Sequence, residues 1–216
     1  MRVLAIAGQK GGAGKTTLAV HMAVAAQAAG LRVGLIDADP QGSAAAWASA
    51  RSPEAPRLTV APLVGAEVRR GVEAARGDGF DLVLVDTPPH ATASTASALP
   101  GADLILLPVR PSVLDLAALP AALALVDAAK APAMLVLSAV PSRCSEEPEV
   151  RRALERAGRS VAATAIHDRA DFRRALAHGR AVAETAPKSQ AAREIRALWR
   201  EVADKLNLPK LKEKSE

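Results

Sequence analysis

Short apolar runs recur along the chain, separated by stretches with helical spacing. They predict seven β-strands, over residues 2–7, 32–36, 58–62, 81–86, 103–109, 133–140 and 161–166. Several runs, such as 82–85 and 104–107, are continuous rather than alternating. Because a continuous apolar strand is buried on both faces, the pattern predicts a mostly parallel, twisted sheet with helices on both faces. In such α/β folds ligands bind beyond the carboxyl ends of the strands.

The first strand leads directly into a glycine-rich loop. Residues 8–17 read Gly-Gln-Lys-Gly-Gly-Ala-Gly-Lys-Thr-Thr and open onto an apolar stretch typical of a helix. This order builds a phosphate cradle, because glycines let consecutive N–H groups point at phosphate oxygens at the positive end of a helix. We expect Lys15 to reach the β and γ phosphates and the Thr16 hydroxyl to ligate Mg²⁺. The predicted nucleotide-binding residues of the loop are Gly11, Gly12, Ala13, Gly14, Lys15, Thr16 and Thr17.

The loop departs from the strict P-loop pattern G-x-x-x-x-G-K-[ST] in one position and adds a second lysine. Gln9 stands where the pattern has its first glycine, and Lys10 lies five residues before Lys15. A loop around one triphosphate has no need of two ammonium groups. Lys10 is therefore solvated, bound to its own nucleotide, or directed at the nucleotide of another molecule.

Carboxylates follow two other predicted strands. Asp37 and Asp39 come after the second strand and precede Pro40. They either cap the helix that runs through Trp47 or face the nucleotide, and the upstream loop favours the nucleotide. Asp86 ends the fourth strand, where a carboxylate can hold Mg²⁺ opposite the Thr16 hydroxyl, usually through water; the alternative is a simple strand-end cap.

Length and composition indicate one domain. A chain of 216 residues can bury a substantial core as a single α/β domain, which we place at residues 1–207 with a polar tail at 208–216. There is no apolar run long enough to span a membrane, and the start lacks the order of a signal peptide. We expect a cytoplasmic protein, and the single Cys144 cannot form an internal disulfide.

The excess of positive over negative charge lies in one region of the chain. Through Ser142 there are 11 Lys and Arg against 11 Asp and Glu, and from Arg143 onward there are 17 against 12. This asymmetry indicates a polyanion partner for the C-terminal third. If the groups are helical, each of two sets shares a face, Arg169, Arg173 and Arg180 in one and Arg193, Arg196 and Arg200 in the other. Without nearby aromatic residues such faces would bind phosphates rather than read bases, and the alternative is an ordinary solvated surface.

The loop at residues 10–17 resembles the deviant Walker A box, K-G-G-x-G-K-T-T, of the ParA/MinD family of P-loop ATPases. The resemblance implies that Lys10 crosses a dimer interface to the ATP of the partner. Residues 37–42 resemble the D-x-D-P-Q-G segment of partition-type ParA proteins, which implies that Asp39 governs hydrolysis and that Asp37 lies near the outer shell of Mg²⁺. It also implies a second nucleotide-sensing switch around residues 87–90.

The resemblance extends to the second half of the chain. Residues 108–115 resemble the P-V-x-P-S-x-x-D segment of short ParA proteins, which implies that Pro111 and Asp115 lie at the nucleotide or at a partner subunit. Ser112 and Asp115 fit a helix N-terminus nearly as well. The implied residues for nonspecific DNA binding are Arg169, Arg173, Arg174 and Arg196.

Taken as a whole, the resemblance implies a single-domain P-loop NTPase that splits ATP with Mg²⁺, with Lys10, Lys15 and Asp39 as catalytic residues. It implies an ATP-bound homodimer that binds DNA nonspecifically on the nucleoid and is stimulated by a ParB-like or other adaptor protein to partition or position a cargo. The alternatives are a MinD-like positioning ATPase and a P-loop small-molecule phosphotransferase or ligase. The short polar tail lacks the apolar face of a membrane helix, so we expect no membrane partner.

Overall fold

The computed structural model describes residues 1–8, 10–89, 99 and 101–211 of the chain. Three sequence predictions therefore fall partly outside the described residues. These are the departure at Gln9, the end of the predicted switch at His90 and the tail over residues 212–216.

The described residues form one parallel sheet with helices on both faces, as predicted. The strands are β1 (Arg2–Ile6), β2 (Val33–Asp37), β3 (Thr59–Pro62), β4 (Leu82–Asp86), β5 (Leu104–Val109), β6 (Ala133–Val140) and β7 (Ile166–His167). Their order in the sheet is β3-β2-β4-β1-β5-β6-β7, and each pairs in parallel with its neighbours. The helices are α1 (Lys15–Ala28), α2 (Ser43–Ser49), α3 (Ala66–Gly77), α4 (Val113–Ala129), α5 (Glu147–Arg156), α6 (Ala170–Ala177), α7 (Val182–Thr185) and α8 (Gln190–Leu206).

Two apolar layers cover the sheet. One face packs against α1, α2, α6, α7 and α8, and its cluster includes Trp47, Phe172 and Trp199. The other face packs against α3, α4 and α5 through smaller side chains such as Val68, Leu119 and Leu154. Because β1, β4 and β5 are covered on both sides, all their residues except Arg2 are buried, which explains their continuous apolar runs.

The seventh strand is shorter than the sequence predicts. A strand was expected over residues 161–166, but only Ile166–His167 form β7, and Val161 makes an isolated bridge to Leu135. The reason is a competing acceptor. The backbone N–H groups of Ala163 and Thr164 donate to the Glu201 carboxylate of α8, at 2.7 and 2.8 Å, rather than to β6.

The sheet register brings the chemical residues together at one edge. Asp37 at the end of β2 pairs with Asp86 at the end of β4, and Ile6 at the end of β1 pairs with Asp86 on its other side. The chain from β1 continues into the glycine loop and α1. The P-loop and both strand-end carboxylates therefore share the carboxyl edge of the sheet.

Candidate active site

The glycine loop adopts a conformation that side chains would obstruct. Gly12 and Gly14 have φ angles of 74° and 91°, in the left-handed region, and Gly14 caps the N-terminus of α1. A Cβ on Gly14 would lie 2.9 Å from Ser138 Oγ of β6. The loop therefore approaches β6 closely. The N-terminus of α1 that follows it is a suitable binding site for an anion.

Lys15 lies inside the site. Its residue is only 7% exposed, and its ammonium donates a hydrogen bond to the Lys10 carbonyl oxygen at 3.2 Å. Burial lowers the pKa of Lys15 from its usual value, whereas the carboxylates of Asp86 and Asp39 act in the opposite direction. The ammonium thus sits between the loop and two negative groups, as a phosphate-binding lysine must.

Asp86 is a buried carboxyl group next to the Thr16 hydroxyl and the Lys15 ammonium. It is fully buried, and neither carboxylate oxygen has a partner with hydrogen-bond geometry among the described residues. Burial raises its pKa to about 7, the nearby Asp37 and Asp39 add to the rise, and the Thr16 hydroxyl and Lys15 oppose it. Such a group is costly unless a cation balances it. The residues fit Mg²⁺, which Thr16 and Asp86 would hold together with water and phosphate oxygens, and the ion would neutralise phosphate charge.

Asp37 agrees with the helix-capping interpretation of the two carboxylates. It is 1% exposed, and its carboxylate accepts hydrogen bonds from the backbone N–H groups of Asp39 at 3.2 Å and Ala45 at 2.9 Å. It therefore caps the start of α2 while lying beside Asp86. Its role near the outer shell of Mg²⁺ stays a prediction, since a carboxylate has further acceptor positions.

Asp39 lies nearer to solvent than Asp37. It is partly exposed, and its carboxylate accepts a hydrogen bond from the Gln41 backbone N–H at 2.9 Å, which closes a tight turn. Its charge reaches both Lys15 and Asp86. This position suits a group that acts on a water molecule at the rim of the site, and the role remains a prediction.

Lys10 points to a different place from Lys15. Its side chain is 38% exposed, and its ammonium lies 3.7 Å from an Asp115 carboxylate oxygen. Asp115 also accepts a hydrogen bond from the Ser112 hydroxyl, and Ser112 in turn accepts from the Asp115 backbone N–H at 3.2 Å. Ser112 is thus the N-cap of α4, as one interpretation of the sequence held. Contacts of Pro111 and Asp115 with a nucleotide stay predictions.

One residue of this site was missed at the sequence level. Arg110 follows β5 directly, and its guanidinium donates a hydrogen bond to the Gly12 carbonyl oxygen in the P-loop. Its place just beyond the carboxyl end of a central strand was the signal that could have identified it.

All four candidate DNA-binding arginines have partners within the chain. Arg169 binds Glu194 of α8 at 2.5 Å, Arg173 binds Asp168 at 2.5 Å and Arg174 lies 3.8 Å from Asp171. Arg196 donates to the Pro187 carbonyl oxygen at 2.8 Å. The side chains of Arg173 and Arg174 remain 68% and 78% exposed.

The expectation that Arg169, Arg173 and Arg180 share one helix face is wrong. Helix α6 runs from Ala170 to Ala177, with Arg169 as its N-cap, so Arg180 lies beyond its end. Gly179, with a φ of 61°, follows the C-cap residue of this helix and stops it from continuing to Arg180. The second set does lie on a single helix, α8.

Fold and site together define a class: a P-loop nucleotide-binding protein with a deviant Walker A loop and carboxylates at the ends of two strands beside it. Residues 4–182 match the model of the CobQ/CobB/MinD/ParA nucleotide binding domain, and the chain belongs to this family. The P-loop NTPases of its ParA/MinD branch are ATPases.

Individual relatives agree with this assignment. The chain is 35% identical over 209 residues to the maintenance of carboxysome distribution protein A of Gloeobacter kilaueensis, covering 95% of this chain and 94% of the relative. An ATP complex of McdA from Cyanothece superposes with a TM-score of 0.73 at 18% identity and 99% coverage of both chains. The Mg-ADP complex of MinD from Pyrococcus horikoshii gives a TM-score of 0.74 at 18% identity, covering 95% and 97%.

The solved relatives, at this low identity, support the fold, and the family match supports the ligand. ATP and Mg²⁺ are the cofactors of this family's site. Among the helices of the described residues, none has the length and apolar character to cross a membrane.

Proposed function

We propose that this protein is an ATPase that forms an ATP sandwich dimer, binds DNA nonspecifically in that state, and partitions or positions a cargo. ParA/MinD-like proteins dimerise with ATP and work with adaptor partners. The relative that is 35% identical is named for carboxysome distribution, which supports a positioning role over metabolite chemistry. Hydrolysis would be slow, stimulated by a ParB-like or other adaptor, and would release the protein from the nucleoid in the cytoplasm.

A single observation carries the dimer proposal: the two lysines of the P-loop lie in different surroundings. Lys15 is buried beside Asp86 and can serve its own nucleotide. Lys10 is partly exposed at the edge of α4, where its ammonium lies 3.7 Å from an Asp115 carboxylate oxygen. An exposed ammonium at the rim of a nucleotide site is available to the triphosphate of a second subunit.

The proposed ATP hydrolysis needs little covalent catalysis by the protein. In phosphoryl transfer the protein supplies position and charge neutralisation. We propose that Lys15 and the partner's copy of Lys10 neutralise the phosphates, that Thr16 and Asp86 hold Mg²⁺, and that Asp39 orients the attacking water.

The test is the oligomeric state with a nonhydrolysable ATP analogue and Mg²⁺, measured by light scattering. Wild-type protein should be a dimer, and Lys10→Ala should remain a monomer while still binding the analogue. Lys205→Ala, which removes an exposed lysine of α8, is the matched control and should dimerise. Unchanged dimers of Lys10→Ala would refute the cross-subunit role.

A further inference from the structure

Arg110 has no part in the chemistry proposed above, yet it lies directly against the P-loop. Its Nη2 donates a hydrogen bond to the carbonyl oxygen of Gly12. Its Nε is buried and has no hydrogen-bond partner among the described residues. No carboxylate within ion-pair distance occurs for it in the described part of the chain, so the Gly12 carbonyl is what holds the guanidinium in place.

Gly12 suits this contact. A Cβ added at residue 12 would lie 3.0 Å from Arg110 Nη2, so the guanidinium would have to shift by a few tenths of an ångström. The φ angle of 74° is also one that other residues rarely adopt. A side chain at this position would therefore be strained and would crowd the arginine.

The contact fixes more than one atom. A trans peptide unit is planar, and its C=O and N–H groups point in opposite directions. Holding the Gly12 oxygen toward Arg110 therefore directs the N–H group of the next residue, Ala13, away from Arg110. A glycine on the amino side of this peptide would otherwise let it turn over at little cost.

A second contact places the same segment against the loop. Asp115, five residues beyond Arg110, lies 3.7 Å from the Lys10 ammonium. Residues 110–115 thus contact the P-loop at its start, through Lys10, and at its centre, through Gly12. In the segment between β5 and α4, Pro111 restricts the backbone and Ser112 caps α4.

We propose that Arg110 is a positioning residue for the phosphate cradle, fixing the peptide between Gly12 and Ala13 so that the Ala13 N–H faces the nucleotide phosphates. Backbone N–H groups of a P-loop bind the α and β phosphates, which ATP and ADP share. Removing the contact should weaken both nucleotides alike. The inference rests on nucleotide binding at this loop as part of the proposed function, and it does not depend on dimerisation or DNA.

The experiment compares Arg110→Met with Arg110→Lys. Methionine keeps much of the apolar stem and removes the donors, whereas lysine restores one donor. Titration with fluorescent ADP and ATP, each with Mg²⁺, should show both affinities about tenfold weaker in Arg110→Met, the scale of one hydrogen bond to a charged group. Arg110→Lys should recover most of the loss. Arg76→Met, at an exposed position of α3, should match wild type.

Steady-state hydrolysis provides a second readout. Contacts made equally to ground state and transition state change KM and leave kcat intact. Arg110→Met should therefore raise KM for ATP with little change in kcat, which a general loss of folded protein would not produce.

Three results would overturn the proposal: unchanged affinity for both nucleotides in Arg110→Met, a loss confined to ATP, or no recovery in Arg110→Lys. A loss confined to ATP would mean that the guanidinium contacts the γ-phosphate itself. If wild-type protein bound neither nucleotide, the P-loop assignment would fail first, and that outcome is distinct from equal binding by wild type and variant.

Discussion

The nucleotide site and the C-terminal third use charged residues in opposite ways. In the site, Asp86 is buried with no hydrogen-bonded partner among the described residues, and Lys15 is buried beside it. In the C-terminal third, Glu194 accepts hydrogen bonds from the Arg169 guanidinium and from both the ring and the backbone N–H of His167. A buried charge without a hydrogen-bonded partner indicates a ligand-binding site. A cluster in which each charged group is paired indicates a structural contact.

The two regions are joined by a buried ion pair. Arg51, which follows α2, binds Glu184 of α7 at 2.8 Å, with side chains only 6% and 11% exposed. Its guanidinium also lies over the Trp47 ring, 4.7 Å from the ring centroid. Because α2 begins at the Asp37 cap, this pair links the metal side of the site to the C-terminal third.

The largest expected effect comes from neutralising Asp86. Asp86→Asn removes the carboxylate that would hold Mg²⁺, so hydrolysis should fall about 100-fold, the upper range for loss of a metal-supporting group. The nucleotide-free protein should become more stable, because a neutral amide is less costly to bury than an unpartnered carboxylate. Phosphate release and thermal unfolding measure the two effects.

The same chemical change at Glu194 sharpens the comparison. Glu194→Gln should leave hydrolysis near wild type and lower the free energy of unfolding by about 2 kcal/mol, because Arg169 loses its ion pair. Asp78→Asn, at an exposed position after α3, is the control for both. Wild-type hydrolysis in Asp86→Asn, or a stability gain in Glu194→Gln, would contradict the distinction between the regions.

The fold and the centre of the site could be predicted from the sequence because both depend on local patterns. Continuous apolar runs gave strand positions within a residue or so for six strands, and strand ends placed Asp37, Asp86 and the glycine loop together. The seventh strand was mispredicted, because Glu201 lies 38 residues from Ala163 and takes its N–H.

Side-chain partners distant in sequence were beyond prediction for the same reason. Arg110 reaches Gly12 across 98 residues, and Arg169 reaches Glu194 across 25. Charge counting showed that the C-terminal third is basic but could not show which arginines are held by acids of the same chain. That information exists only once the helices are packed.

The folding stability of the protein should depend on pH through His21, which packs between α1 and α6. The ring is fully buried, its Nδ1–H donates a hydrogen bond to the Thr17 carbonyl oxygen at 2.7 Å, and it meets Phe172 of α6 edge-on. Burial lowers the pKa of His21 to about 4, against opposing effects of the Thr17 carbonyl and Glu184. Its neutral form is therefore the one that packs between α1 and α6.

The direction in which stability changes with pH follows from proton linkage. Below the ordinary histidine pKa of 6.5 the unfolded chain binds a proton that the folded protein does not, so stability falls as pH decreases until the folded value of about 4 is reached. The loss from His21 should be about 2 kcal/mol between pH 6.5 and roughly pH 4.5. Denaturant unfolding of wild type and His21→Gln should differ in slope over this window. Parallel pH profiles would assign the response to other groups.

The smallest expected effect concerns DNA and divides the arginines by their partners. Arg173 and Arg174 are largely exposed and their carboxylate partners are surface groups, so their ion pairs are weak and phosphates can replace those carboxylates. Arg169 is held by Glu194 in a less exposed pair. Arg173→Gln and Arg174→Gln should each weaken nonspecific DNA binding about threefold at low salt and reduce its salt slope by about one. Arg169→Gln should change DNA affinity less and stability more. DNA affinity should be measured in the ATP-bound state. A larger loss of affinity in Arg169→Gln than in Arg173→Gln would mean that Arg169 contacts DNA. The ion pairs within the chain would then not determine which arginines bind DNA.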